Sequence, residues 1–291
     1  MRFQNLVDNH KLASFLAVTY LFTWSIQAGI SLLNMEPSWT LSVLVGLGGF
    51  GPLVGAAFVI WITGNSLKKW ISQAFRWKVG KKWWVAALGL PLVILVLGSV
   101  LFMALGGPVD VSALPPIWVF FFVLAWGTVW GGGQEELGWR GFMLPMLQEK
   151  YSALTSSLFI GVAWALWHLP LFLNPNTTHG AWPIGQQVLW VTTILAGSIL
   201  WTWMYNNTVS ALLVAVFHAG INTMGVFHPA DVDALYPGGV PDQWLTLLAE
   251  GTSAVVLIGA AILVLIIYGW KRLSYNEVPG KEHIGLKEKF Y

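Results

Sequence analysis

Cysteine is absent from all 291 residues. Disulfides, thiolate nucleophiles and thiolate metal sites are therefore excluded, and cysteine usage says nothing about redox compartment. Charge is nearly as scarce: 10% of the residues are Asp, Glu, Lys or Arg, against about 25% in a typical soluble protein. With 56% hydrophobic residues, so few charges cannot clothe a water-soluble surface. No run alternates apolar and polar residues as a barrel strand would. No internal repeat or low-complexity block divides the chain. A Walker loop, a dinucleotide fingerprint and a basic–aromatic surface for nucleic acid are all missing.

What is present is a series of apolar stretches of membrane-crossing length. They cover approximately 12–33, 41–63, 83–105, 117–138, 154–173, 186–205, 209–227 and 244–268. Backbone groups in lipid must bond within their own segment, so helices are the only sensible reading. The expected fold is all-α: a polytopic transmembrane bundle of about eight spans, a single integral membrane domain over 1–291. The 19 Trp suit a membrane–water boundary. Arg2 and Lys11 precede the first stretch as they would in a secretory signal. However, about 22 apolar residues and no small-x-small cleavage site favour a retained first helix.

Lys and Arg set the orientation. Counting the joins between spans alternately, all 15 fall on the side of the N-terminus, clustering at Lys68, Lys69, Arg76, Lys78, Lys81 and Lys82 and again after Lys271. The other side carries only acids: Glu36, Asp110, Asp231, Asp233 and Asp242. The basic side is expected to be cytoplasmic, with both termini inside, in a multi-pass protein of the cell membrane. Within the basic join, Leu67, Trp70, Ile71, Ala74 and Phe75 recur at helical spacing among the cations, which suits a helix lying in the interface against anionic lipid. Residues 271–291 are polar and of mixed charge, and are expected to be a flexible cytoplasmic tail.

Ionisable residues inside spans are costly and mark functional sites by default. Five stand out: Glu135, Glu136, Arg140, His168 and His218. Glu136 and Arg140, four apart, share a helix face and can pair. Glu135 points about 100° away, which separates two carboxylates into two roles. Gly131, Gly132 and Gly133 should bend the helix just before them. An ordinary solvated helix end would look the same. Trp164 and His168 share a face, as do His218 and Asn222, with Ala219 and Gly220 permitting close packing. Taken singly, each pair reads equally well as structural hydrogen bonding. Together, Glu plus His can activate a water, and His plus Asn can donate to an oxyanion. His179 and His228 read as loop residues.

These residues resemble the family of intramembrane proteases that includes type II CAAX prenyl endopeptidases and bacteriocin-processing or immunity-linked (Abi-type) proteins, the CPBP family. Its pattern is EExxxR, then aromatic-xxx-His, then HxxxN, on separate helices of an eight-span bundle. Glu135, Glu136 and Arg140 match the first motif, His168 the second and His218 with Asn222 the third, while Trp164 stands where Phe is usual. The matching region runs from about Gly131 to Asn222, within a motif-bearing core of about 117–227. The resemblance implies an intramembrane endopeptidase acting on a membrane-associated protein or peptide. Glu135 and His168 would activate the water, His218 and Asn222 would form the oxyanion hole, and Glu136, Arg140 and Trp164 would shape the site. A zinc ion on Glu135, His168 and His218 is the alternative to a metal-free glutamate mechanism. Without an HExxH helix, the metal-free form is preferred. Two other readings compete. One is a non-catalytic immunity-type protein on the same scaffold, against which the intact motifs argue. The other is a proton-coupled transporter, for which no inverted repeat is found.

Overall fold

The computed structural model describes residues 2–33, 35–237 and 242–286. Eight apolar helical segments follow the expected order: α1 (Lys11–Leu32), α2 (Trp39–Ile62), α3 (Lys81–Ala104), α4 (Ile117–Gln148), α5 (Ala153–Trp167), α6 (Ile184–Thr208), α7 (Ala211–Met224) and α8 (Gln243–Tyr268). Six are long and apolar enough to cross a membrane; α5 and α7 are shorter. At 1.5 Å per residue they reach only about 22 Å and 21 Å, below the roughly 30 Å of a hydrocarbon core. The expectation of eight spans therefore becomes six full-length helices and two short ones.

The joins nevertheless gather at two ends, as the charge pattern requires. At the basic end, Ser210 Oγ donates to the Arg76 carbonyl at 2.6 Å, Asn206 Nδ2 to that of Arg272 at 2.7 Å, and Lys281 pairs with Glu149 at 3.1 Å. At the acidic end, Val109 and Ala230 form an isolated antiparallel bridge, and Asn176 Nδ2 donates to the Met35 carbonyl at 3.2 Å. Both short helices start at the basic end. The α5 N-cap is Ser152, whose hydroxyl accepts from Thr155 N–H, and α7 is capped by Ser210, which accepts from Leu213 N–H. Beyond their far ends, the chain returns toward the acidic end through short helical turns, Leu169–Phe172, Thr178–Ala181 and Val232–Leu235.

The basic join does form a helix, Leu67–Ile71, continued by a 3-10 turn at Ser72–Phe75. Its outer face exposes Ile71 and Phe75. Its inner face is a wedge rather than lipid anchorage. Trp70 is buried and donates to the Leu137 carbonyl at 3.1 Å, and buried Gln73 donates to that of Gly141 while accepting from the Tyr205 hydroxyl. The tail also departs from expectation. Over 271–286 it packs on the bundle: the carbonyls of Lys271 and Trp270 accept from the first N–H groups of α5, and Leu273, Ile284 and Leu286 are buried. These apolar residues are spaced too irregularly to signal burial from sequence alone. The rest of the expected tail, 287–291, lies outside the described residues.

Candidate active site

Helix α4 is broken, as its glycines predict. Its first half ends at Val129, and Gly132 has φ +116°, a conformation that L side chains rarely adopt. Several main-chain groups freed by the break find new partners. Gln134 Nε2 donates to the Trp130 carbonyl at 3.2 Å, Asn222 Nδ2 donates to that of Gly131 at 2.9 Å, and Gly132 N–H donates to Gln134 Oε1 at 2.9 Å. A broken helix inside a bundle is stable only with such replacement partners. The second half restarts as a 3-10 turn, passes through a short α stretch and becomes a π-helix over Trp139–Met143. Its close approach to α2 depends on Gly138, where a Cβ would lie 2.4 Å from the Pro52 carbonyl.

This restart places Glu135 and Glu136 on different faces, as the sequence requires. Glu136 is fully buried and serves two donors: Arg140 Nη1 at 3.2 and 3.3 Å to its two oxygens, and His218 Nδ1 at 2.7 Å to Oε1. Arg140, also fully buried, donates from Nη2 to Ser198 Oγ at 2.8 Å. The faces of Trp164 and Trp201 lie 5.3 and 5.7 Å from its guanidinium carbon. Ser198 hands its own proton to the Ser157 carbonyl at 2.7 Å. The ion pair is thus embedded in a network of buried partners, the condition under which buried charge is tolerated, although Arg140 Nε itself has none.

Glu135 turns the other way. Its Oε2 accepts from the Trp164 indole N–H at 2.7 Å, and the Trp164 carbonyl lies 2.9 Å from His168 Nδ1. A carbonyl can only accept, so His168 carries its proton on Nδ1 and leaves Nε2 with a lone pair. Trp164 therefore holds both the carboxylate and the imidazole. His218 is oriented in the same manner by Glu136, which leaves its Nε2 beside Gly132: a Cβ there would stand 2.7 Å from both His218 Nε2 and Asn222 Nδ2. Glu135, His168, His218 and Asn222, drawn from three helical segments, line one cavity of about 750 Å³. Trp130, Trp164, Trp167, Trp190 and Trp201 make much of its wall aromatic.

Among the described residues no three His, Asp or Glu side chains converge on a metal position. His168 Nδ1 and His218 Nδ1 are engaged by Trp164 and Glu136, which leaves Nε2 as the remaining ring nitrogen of each.

Three cavity residues are not among those singled out from sequence. His179 is not a plain loop residue: its ring lies 5.4 Å from that of His168 and packs against Phe172, Trp182 and Trp190. Burial pushes it down to about 4 from the usual 6.5, so it is neutral at pH 7. His228 lines the cavity at 5.4 Å from Phe102. Glu250 is a sixth ionisable group inside the spans, on the cavity wall in the second turn of α8. Nothing in the spacing around either histidine signals its position, whereas Glu250 was open to the same reasoning as the other five.

The fold and site define a polytopic helical membrane protein with a buried polar centre at the break of α4. Residues 115–224 match the family model of Rce1-like type II CAAX prenyl endopeptidases, so the family resemblance of the motifs is borne out over the segment that carries them. A CAAX prenyl protease 2 of Methanococcus maripaludis is 38% identical over 94 residues, 30% of this chain and 34% of that protein. The chain thus spans about a third of the length of the curated relative it matches.

Proposed function

We propose that the protein is an intramembrane endopeptidase that hydrolyses a peptide bond in a membrane-associated protein or peptide, in a cell membrane whose cytoplasmic face is the basic end of the bundle. The observation that carries this reading is the gathering of Glu135, His168, His218 and Asn222 on one cavity beside the Gly132 break. The family match over 115–224 and the protease name of the Methanococcus relative point the same way.

In this mechanism a water sits between Glu135 and His168 Nε2. Glu135 takes its proton as the water oxygen bonds to the peptide carbonyl carbon, and the carbonyl electron pair moves onto oxygen. That oxyanion lies by Gly132, where the second amide proton of Asn222 and the Nε2 proton of a charged His218 face it. The route requires Glu135 ionised and His218 protonated on both ring nitrogens, with its Nδ1 proton donated to Glu136. Collapse returns the electron pair to the carbonyl, breaks the C–N bond and delivers the Glu135 proton to the leaving amine. This route uses no metal; none of its steps asks for one.

Substrate trapping with Glu135→Gln tests the reading. The amide cannot take a proton from water, so turnover of any trapped peptide should fall at least about 10²-fold while the protein stays folded. Near-normal turnover by the purified variant would remove Glu135 as the base and, with it, this mechanism.

A further inference from the structure

Glu250 is a carboxylate in a membrane helix with no counter-charge. Its helix face also carries Ala249, Ser253, Ala254 and Leu257, all on the cavity wall. Among the described residues no hydrogen bond or ion pair reaches it, and none of the residues lining the cavity is Lys or Arg. Glu250 is solvent-accessible, seven residues from the acidic-end start of α8, and ionisable residues in spans face a cavity or a partner. The titratable groups around the same cavity are Glu135, Tyr236 and the four histidines 168, 179, 218 and 228, none of them a fixed cation. Tyr236 stands within electrostatic reach: burial, and then the Glu250 charge, pushes its phenol up from 10.0.

The cavity also has a direction. Its lining reaches Trp182, Val232 and Tyr236, in the joins of the acidic end. Fully buried Phe142, Leu144 and Tyr205, and the wedge of Trp70 and Gln73, do not line it. The acidic end carries Glu36, Asp110, Asp231, Asp233 and Asp242 and has no Lys or Arg. Clefts lined by one sign of charge raise the local concentration of the opposite sign.

We propose that Glu250 is a substrate subsite that holds the positive charge of a cationic peptide segment, a Lys or Arg side chain or a free amine, entering the cavity from the acidic end. The bound ammonium supplies a counter-charge, and the Tyr236 ring on the same cavity wall can face the same cation. This subsite sets which peptides reach Glu135, and as a specificity determinant it rests on the hydrolase reading.

The absence of cysteine allows a test that does not depend on catalysis. Ser253→Cys places one thiol a helix turn from Glu250 on the cavity face. In proteoliposomes it should react faster with a cationic trimethylammonium methanethiosulfonate than with the anionic sulfonate. Adding Glu250→Gln should shrink that rate ratio about tenfold. In parallel, internally quenched peptides carrying Lys or norleucine at each position are cleaved by the otherwise native chain. The Lys-to-norleucine ratio in kcat/KM should be about ten at one position and near one in Glu250→Gln. A thiol that does not react, a rate ratio unmoved by Glu250→Gln, or cleavage indifferent to Lys overturns the subsite. If no peptide is cleaved yet the thiol ratio collapses with Glu250→Gln, the subsite stands and the hydrolase reading fails.

Discussion

Replacing Glu136 by Gln removes one negative charge from a position with no solvent exposure. The amide keeps one oxygen for the three contacts now made by two: Arg140 Nη1 at 3.2 and 3.3 Å and His218 Nδ1 at 2.7 Å. Arg140 cannot shed its proton, and its remaining support is Ser198 Oγ and two indole faces; its Nε already has no partner. Breaking a buried pair from one side typically costs about 3–5 kcal/mol, because a charge is left uncompensated. Against a total of about 5–15 kcal/mol, Glu136→Gln should lose a large share of stability in a denaturant titration of the purified protein. Adding Arg140→Met removes the stranded charge and keeps the volume. The double variant should therefore recover at least about 1 kcal/mol relative to Glu136→Gln, a coupling that a double-mutant cycle reads directly. A loss below about 1 kcal/mol for Glu136→Gln, or simple additivity in the cycle, would refute the view that this ion pair is tightly closed.

Three further outcomes follow from the same geometry. Gly132→Ala should both strain the backbone, by about 1–3 kcal/mol, and put a methyl beside His218 Nε2 and Asn222 Nδ2. Peptide cleavage should fall about 10²-fold even in the folded fraction, whereas Gly29→Ala, with nothing within 4 Å, should be silent in the same assay. Trp164→Phe should keep the ring packing but remove the donor to Glu135, a hydrogen bond to a charged group of about 1.5–3 kcal/mol; a kcat within twofold of wild type would show that this bond does not position the carboxylate. Ile284→Ala should destabilise the protein by about 2–5 kcal/mol if the tail is docked as the structure shows, and have no effect on melting if the tail is free.

Hydropathy and charge made the architecture legible, because eight apolar runs and one-sided Lys and Arg leave few alternatives. The Glu136–Arg140 pair, the divergence of Glu135 and the break at Gly131–Gly133 were also legible, since each is a local consequence of helical spacing or of glycine. The wedge of Trp70 and Gln73 was not. Helical periodicity shows that one face differs from the other, but a Trp reads alike whether it meets lipid or a carbonyl such as that of Leu137. The docking of the tail depends on contacts between residues more than sixty positions apart, Asn206 with Arg272 and Asn207 with Leu273, and no periodicity records them. The Trp164 indole bond is a third case. From sequence, Trp in place of the usual Phe reads as a change in cleft shape, while its polar edge proves to be the part that touches Glu135.

The two short helices and the cavity are one feature. A run of apolar residues continues past His168 through Leu169–Phe172, so hydropathy reports a full span where the helix axis has already stopped. His168 is the C-cap of α5, and Pro170 cannot supply the next helical N–H. Helix α7 stops two residues after Asn222, and the first half of α4 stops at Val129, three residues before Gly132. Three helices thus end around one point, and the space they fail to fill is the cavity. Glu135 is 13 residues from Gln148, about 20 Å along the second half of α4, and His168 is 15 residues from Ala153, about 22 Å along α5. The polar centre therefore lies well away from the basic end of the bundle. The missing helix lengths are replaced by the short turns at 168–183 and 225–237, which on the proposed function would admit the peptide. Lengthening α5 by replacing Pro170 with Ala should close part of that space. Thiol labelling at Ser253→Cys should then slow even where the Glu135 site is untouched, and an unchanged labelling rate would separate the helix ends from the cavity.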